Sequence, residues 1–165
     1  MLIKPKYYFK RITDITVEDF QKMKVDTVIL DVDNTITLQK AKYFIEGAEQ
    51  WLDKMKSFGI KLIILSNAKP DRMSGFAKKV GLPFVALGLK PLPFGYWRSA
   101  KRAGSKIKNC CIIGDQLFTD ILGGNIARCK TVLVSPTELE TSFGFKIKRK
   151  MERILLKLYK LPCEF

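Results

Sequence analysis

The feature that most limits the fold is an alternation along the 165-residue chain. Short apolar runs rich in β-branched residues take turns with amphipathic segments of helical period. Residues 25–32 (VDTVILDV), 60–65 (IKLIIL), 110–113 (CCII) and 131–134 (TVLV) read as strands, with a weaker one at 83–87. Near-continuous apolarity marks strands covered on both faces. Between them, 46–58 places Ala48, Trp51, Leu52, Met55 and Phe58 on one helical face. A second helix, 71–80, starts after Pro70 and stops at Gly81, and a third, 93–103, stops at Gly104. In 117–127, Gly123 and Gly124 either allow close packing or end the helix early. Trp51, Trp97 and Phe58 are expected in the core. Helices alternating with strands predict an α/β fold. It is a doubly wound, Rossmann-like parallel sheet of about five strands with helices on both faces, in one domain spanning 1–165. No apolar run approaches the ~18 residues of a membrane span.

In such a sheet the working residues sit at the carboxyl ends of the strands. The residues that follow the strand candidates are Asp31-Val32-Asp33, Ser66-Asn67, Asp115 and Ser135-Pro136, with Gly88-Leu89-Lys90 after the weak one. Acidic and small polar groups thus gather on one edge, with a lysine beside them. Composition narrows the chemistry. The chain has no histidine, which removes Ser–His and Cys–His catalysis and histidine–zinc sites. None of Cys110, Cys111, Cys129 and Cys163 forms a CxxC pair, so they read as reduced, buried thiols. That usage predicts a cytoplasmic protein. Lys and Arg number 30 against 16 Asp and Glu, a net charge of +14 that favours anionic partners without choosing among them.

Asp31 and Asp33, two apart on a strand end, point to one side and repel each other. With Asp115 they suit a hard, oxygen-liganded cation, magnesium above all for phosphate chemistry. One carboxylate can then attack as a nucleophile while the other shuttles a proton. Lys90 and the Ser66 hydroxyl can bind phosphoryl oxygens.

Four motifs in order carry a resemblance. Asp31-Val-Asp33-Asn34-Thr35 resembles the DxDxT signature of the haloacid dehalogenase (HAD) superfamily. Leu65-Ser66-Asn67 resembles its second motif, Lys90-Pro91 its third, and Gly114-Asp115-Gln-Leu-Phe-Thr-Asp120 its fourth. The match covers about 13–136. The closer likeness is to capless subfamily IIIA phosphatases of the YqeG type and to phosphatidylglycerophosphate phosphatases, carried by DVDNT, SNA with Arg72 behind it, KPLP, and GDQLFTDILGGN. This resemblance implies a magnesium-dependent phosphomonoester hydrolase that forms an aspartyl-phosphate. Asp31 would be the nucleophile and Asp33 the general acid and base. Ser66, Asn67 and Lys90 would bind phosphate. Asp31, Asp115 and the backbone carbonyl of Asp33 would hold Mg²⁺; Asp120 reads either as a partner behind the ion or as a first-turn acid favoured by the helix dipole. Spacing agrees with a capless fold. The 33 positions from Asp33 to Ser66 and the 24 from Ser66 to Lys90 hold no room for a cap domain of ~50 residues.

The resemblance implies a lipid phosphate such as phosphatidylglycerophosphate as the substrate. Nucleic-acid ends or small metabolites are the alternative, and a non-catalytic RNA- or ribosome-associated binder a third reading. The basic stretch 146–160 has seven basic residues against one acid, Glu152. It predicts a helix, about 145–160, whose stripe of Ile147, Met151, Ile154, Leu155 and Leu158 packs on the sheet; the sharper alternative lays it on an anionic membrane. The basic and aromatic residues of 4–11 suit an interface equally well. The combined expectation is a cytoplasmic protein with peripheral contact at the inner membrane face.

Overall fold

The computed structural model describes residues 2–38, 43–137 and 143–161. Six parallel strands form one sheet in the order β1-β6-β5-β2-β3-β4. They are β1 (Tyr7–Phe9), β2 (Thr27–Leu30), β3 (Lys61–Leu65), β4 (Phe84–Val85), β5 (Cys110–Gly114) and β6 (Lys130–Val134). The helices are α1 (Val17–Met23), α2 (Ala48–Ser57), α3 (Pro70–Val80), α4 (Phe94–Arg102), α5 (Leu122–Ala127) and α6 (Phe143–Leu158). The chain winds outward from β2 to β3 and β4, then returns to β5 and β6. The reversal falls between β2 and β5, where Leu30 is in register with Ile113. That switch point is where an open α/β sheet leaves a crevice for ligands.

The alternation of side chains fills both faces. Val28, Leu30, Ile64, Cys111 and Ile113 pack with residues of α1, α2 and α3. Ile29, Ile63, Leu65, Cys110 and Ile112 pack with residues of α4 and α5. The adjacent thiols Cys110 and Cys111 thus point to opposite faces, as a regular strand requires. Cys163 lies outside the described residues. Local signals set the helix ends. Thr16 accepts from the Asp19 amide while Asp19 accepts from the Thr16 amide, a capping box that opens α1. Pro70 opens α3, and Gly81 closes it in the left-handed conformation. The paired glycines of α5 serve close packing: a Cβ on Gly124 would meet Ile112 at 2.4 Å, and one on Gly123 would meet Tyr96 at 2.4 Å.

Several expectations need correction. The sheet has a sixth strand, because 7–9 of the basic N-terminal stretch pairs with β6. Tyr8 shares a hydrogen bond of 2.8 Å with Ser135, and Phe9 packs against the core, so these aromatics are partly structural. Trp51 is buried, but Trp97 and Phe58 are exposed. Phe58 falls at the C-cap of α2, past the last full turn, and Trp97 lies on the outer side of α4. The largest change concerns α6. It buries Arg149, Glu152 and Leu156, while Ile147, Met151, Ile154 and Leu158 of the expected inward stripe face outward. Leu155 alone of that stripe packs, half-buried, with Leu117, Ile121 and Leu133. The charged pair turns the helix, for reasons found at the site.

Candidate active site

Because every strand is parallel, all carboxyl ends open on one edge. Asp31 leaves β2 beside the end of β5, tied by its amide to the Ile113 carbonyl at 3.0 Å. Asp115 leaves β5 itself. A single π-helical turn, Leu117–Ile121, then swings Asp120 back toward the strand end. Wide turns of this kind are often found at functional sites. Gly114 makes room for it, since a Cβ there would lie 2.4 Å from the Asp120 carboxyl carbon. One oxygen from each of Asp31, Asp115 and Asp120 lies within 4.8 Å of the others.

Lys90 arrives from the loop after β4. Its ammonium donates to Asp31 Oδ1 at 2.5 Å and to Asp120 Oδ1 at 2.7 Å. Asn67, at the end of β3, holds the lysine's backbone from both sides. Its Oδ1 accepts from the Lys90 amide at 2.7 Å, and its Nδ2 donates to the Lys90 carbonyl at 3.1 Å. Ser66 is buried, and its Oγ accepts from the Ala68 amide at 3.1 Å. Asp33 is half-buried and paired with Arg72, whose guanidinium reaches both carboxylate oxygens at 2.8 and 2.6 Å. Lys69 sits exposed at the N-cap of α3.

Two residues that the motifs did not predict complete the site. Arg149 of α6 donates to the carboxylate of Asp115, to its backbone carbonyl at 2.8 Å, and to Glu152 at 2.9 Å. Glu152 accepts from the Leu117 and Phe118 amides at 2.9 and 3.4 Å, satisfying donors at the start of the π turn. The sequence did carry a signal: Glu152 is the lone acid of a basic segment, three residues after an arginine. Such a pair at i, i+3 shares a helix face, and the rest of that face could be read as buried.

The electrostatics follow from crowding. Burial pushes the Asp31 carboxyl up to about 8; Lys90 opposes this, and the carboxylates of Asp120 and Asp115 add to it. Asp115 is pushed up to about 6, again by burial first, with Arg149 opposing and Asp120 adding. Burial alone would lower Lys90, but Asp120 and Asp31 outweigh it and raise it. Asp31 and Asp120 pair with Lys90, and Asp115 and Glu152 with Arg149, so in these ion pairs four carboxylates meet two cations, a surplus of two negative charges when all are ionised. The Asp115 Oδ1 atom is also buried without a hydrogen-bond partner among the described residues. An oxygen-only donor set, two surplus charges and one idle carboxylate oxygen fit a hard divalent cation.

A doubly wound sheet with carboxylates at its switch point and a buried lysine facing them is suited to hold a phosphoryl group beside a cation. The comparisons with known proteins specify the family. Family models described as mitochondrial PGP phosphatase and as HAD-hydrolase-like match residues 1–79 and 89–141. A curated protein of Bacillus subtilis (strain 168), "Probable phosphatase YqeG", is 33% identical over 156 residues, covering 94% of this chain and 91% of that one. Two solved structures share the fold. One is the cobalt-bound deoxy-D-mannose-octulosonate 8-phosphate phosphatase YrbI of Haemophilus influenzae, with a TM-score of 0.56, 18% identity and coverage of 83% of this chain and 91% of that one. The other is an uncharacterized protein of Listeria monocytogenes serotype 4b, with a TM-score of 0.58, 17% identity and coverage of 72% and 84%. The chain belongs to the HAD superfamily as a YqeG-type phosphatase, a phosphoric monoester hydrolase.

Proposed function

We propose that the enzyme hydrolyses a lipid phosphomonoester, phosphatidylglycerophosphate or a close relative, through an aspartyl-phosphate on Asp31. The observation that carries the nucleophile is exposure. The Asp31 side chain keeps 10% of its surface open, whereas those of Asp115 and Asp120 are at 0%. Lys90 occupies Asp31 Oδ1, which leaves Oδ2 to attack phosphorus as the ester P–O bond breaks. Asp33 then gives a proton to the leaving alkoxide and takes one from the water that attacks the aspartyl-phosphate. Cleavage of the acyl P–O bond releases phosphate and restores Asp31. Lys90 and the Ser66 hydroxyl bind the phosphoryl oxygens. Asn67 serves them by fixing the Lys90 backbone rather than by binding phosphate itself. Arg72 anchors the Asp33 carboxylate.

Asp31, Asp115 and the Asp33 carbonyl would hold Mg²⁺, with Asp120 orienting Lys90 behind them. The bound ion supplies charge neutralisation for the phosphoryl group and for the crowded carboxylates. The family match to PGP phosphatases supports the lipid substrate. The test is phosphate release, with magnesium or with chelator, from three substrates: phosphatidylglycerophosphate, 5′- and 3′-phosphorylated oligonucleotides, and small phosphate esters. The lipid should have the highest kcat/KM. A preference for oligonucleotide ends would move the assignment to nucleic acid, and no release from any substrate would favour a non-catalytic binder.

A further inference from the structure

The loop that delivers Lys90 is unusually apolar where it meets solvent. Leu87, Leu89, Leu92, Phe94 and Trp97 are each between 46% and 56% exposed, although Lys90 among them is buried. Five exposed apolar side chains within eleven residues, with the Phe94 and Trp97 rings in contact, are more than isolated surface hydrophobics. The display is built rather than incidental. Leu87 and Leu89 both adopt the left-handed conformation, at φ of 47° and 55°, which leucine rarely takes. The loop is also pinned to the end of β3. The Leu87 amide donates to the Ala68 carbonyl at 3.0 Å, the Gly88 amide donates to the Ser66 carbonyl at 2.9 Å, and Asn67 holds Lys90. The exposed leucines are therefore held out by a rigid scaffold at the catalytic edge.

The surroundings say what the patch meets. Arg98 donates to the Leu87 carbonyl at 2.8 Å. With the exposed Lys101 and Arg102 it lines a cleft of about 670 Å³ whose other wall includes Leu87. Large apolar side chains with Arg98 beside them, and Lys101 and Arg102 further along α4 behind them, match the acyl boundary and anionic head groups of a bilayer. Phe94 and Trp97 could stack on bases, but three exposed leucines suit acyl chains rather than a polynucleotide. The outward stripe of α6 is the other apolar face, but the segments 138–142 and 162–165 on either side of it lie outside the described residues, so nothing shows what covers it.

We propose that residues 87–97 form a membrane-docking edge: their apolar side chains enter the head-group region of an anionic bilayer and present the Asp31–Lys90 site to phosphate groups there. This rests on the lipid-phosphate reading above and names how that substrate is reached. The active site then works at the membrane surface without extracting the lipid, and a cap over this edge would obstruct it.

The test uses the full chain and phosphatidylcholine vesicles with increasing phosphatidylglycerol, which carry no phosphomonoester. Sedimentation should show binding that grows with anionic content and weakens with salt. Leu92→Ser with Phe94→Ser should weaken it by about tenfold or more, and Lys101→Glu with Arg102→Glu should weaken it at low salt. Both variants should keep wild-type kcat/KM on a soluble phosphate ester, since neither pair touches the catalytic groups. Met151→Ser with Ile154→Ser should bind vesicles as the wild type does. Wild-type binding by the Leu92/Phe94 variant would overturn the proposal, as would no binding by the parent or loss confined to the α6 variant. Concentration-dependent dimerisation that this loop variant abolishes, without vesicle binding, would overturn it in favour of a second copy as the occupant. Docking that meets every expectation, with no phosphate released from phosphatidylglycerophosphate, would retire the substrate reading and keep the docking edge.

Discussion

Arg149→Met removes the cation on which two buried carboxylates depend. The Arg149 side chain is 7% exposed, Asp115 is at 0% and Glu152 at 1%. Methionine keeps most of the volume and the apolar stem, so the change is mainly one of charge. Removing one partner of a buried pair costs about 3–5 kcal/mol, because the remaining charge has neither water nor a counterion. For a chain of this size each kcal/mol moves Tm by about 2–4 °C, so the expected fall is about 6–20 °C. Glu152→Gln should cost less, since its carbonyl can still accept from the Leu117 amide. The double variant should be less destabilised than the sum of the two, because the residues share one network. Magnesium should restore more Tm in Arg149→Met than in the parent, as a cation at Asp115 stands in for the lost guanidinium. Activity should drop by about 10–100-fold from misaimed Asp115. Thermal melts with and without magnesium, read alongside kcat, make the check. A Tm within about 2 °C of the parent would show that Arg149 does not neutralise this cluster.

Other outcomes follow from the same structure. Gly114→Ala puts a Cβ 2.4 Å from the Asp120 carboxyl carbon, so melting should reveal overpacking of about 1–3 kcal/mol and assays a matching loss of turnover. Chelation should abolish phosphate release and magnesium should restore it; full activity in excess chelator would remove the metal from the account. Asp26, far from the site at the other end of the sheet, tests the electrostatics by pH. Burial would raise its carboxyl, but hydrogen bonds from Ser105, Thr27 and Asn109, at 2.6, 2.7 and 3.2 Å, hold it below its ordinary value of 3.8. The stability it adds is present above the unfolded value and is lost as pH falls through the folded one. Asp26→Asn should therefore melt below the parent at pH 6, and the gap should close toward pH 3; a gap independent of pH would refute this role.

The strands that build the site were legible because a parallel sheet demands continuous apolar runs, and these run straight into Asp31, Ser66 and Asp115. The adjacent Cys110 and Cys111 carried the alternation between faces. β1 was hidden because three half-exposed aromatic residues in a basic stretch give an edge strand no periodic signature. α6 was misread for a related reason. Its hydrophobic stripe is a correct local pattern, yet the partners that orient the helix, Asp115 and the Leu117 amide, lie 34 and 35 residues away. A buried ion pair can overrule an apolar stripe only when such distant partners exist, and spacing within the helix does not reveal them. Asn67 is a similar case. Its place after β3 was plain, but its use on the Lys90 backbone depends on how β4 brings the loop across.

The proposed chemistry starts with attack of Asp31 on phosphorus. The most direct measurement is phosphate release by purified Asp31→Asn, in magnesium, on the substrate that the parent hydrolyses best. The carboxylate oxygen is then an amide, the packing is nearly unchanged, and the variant should melt as a folded protein. Turnover should fall by about a thousandfold or more, as expected when a nucleophile is removed. A folded variant that releases phosphate at near the parent's rate would contradict the account.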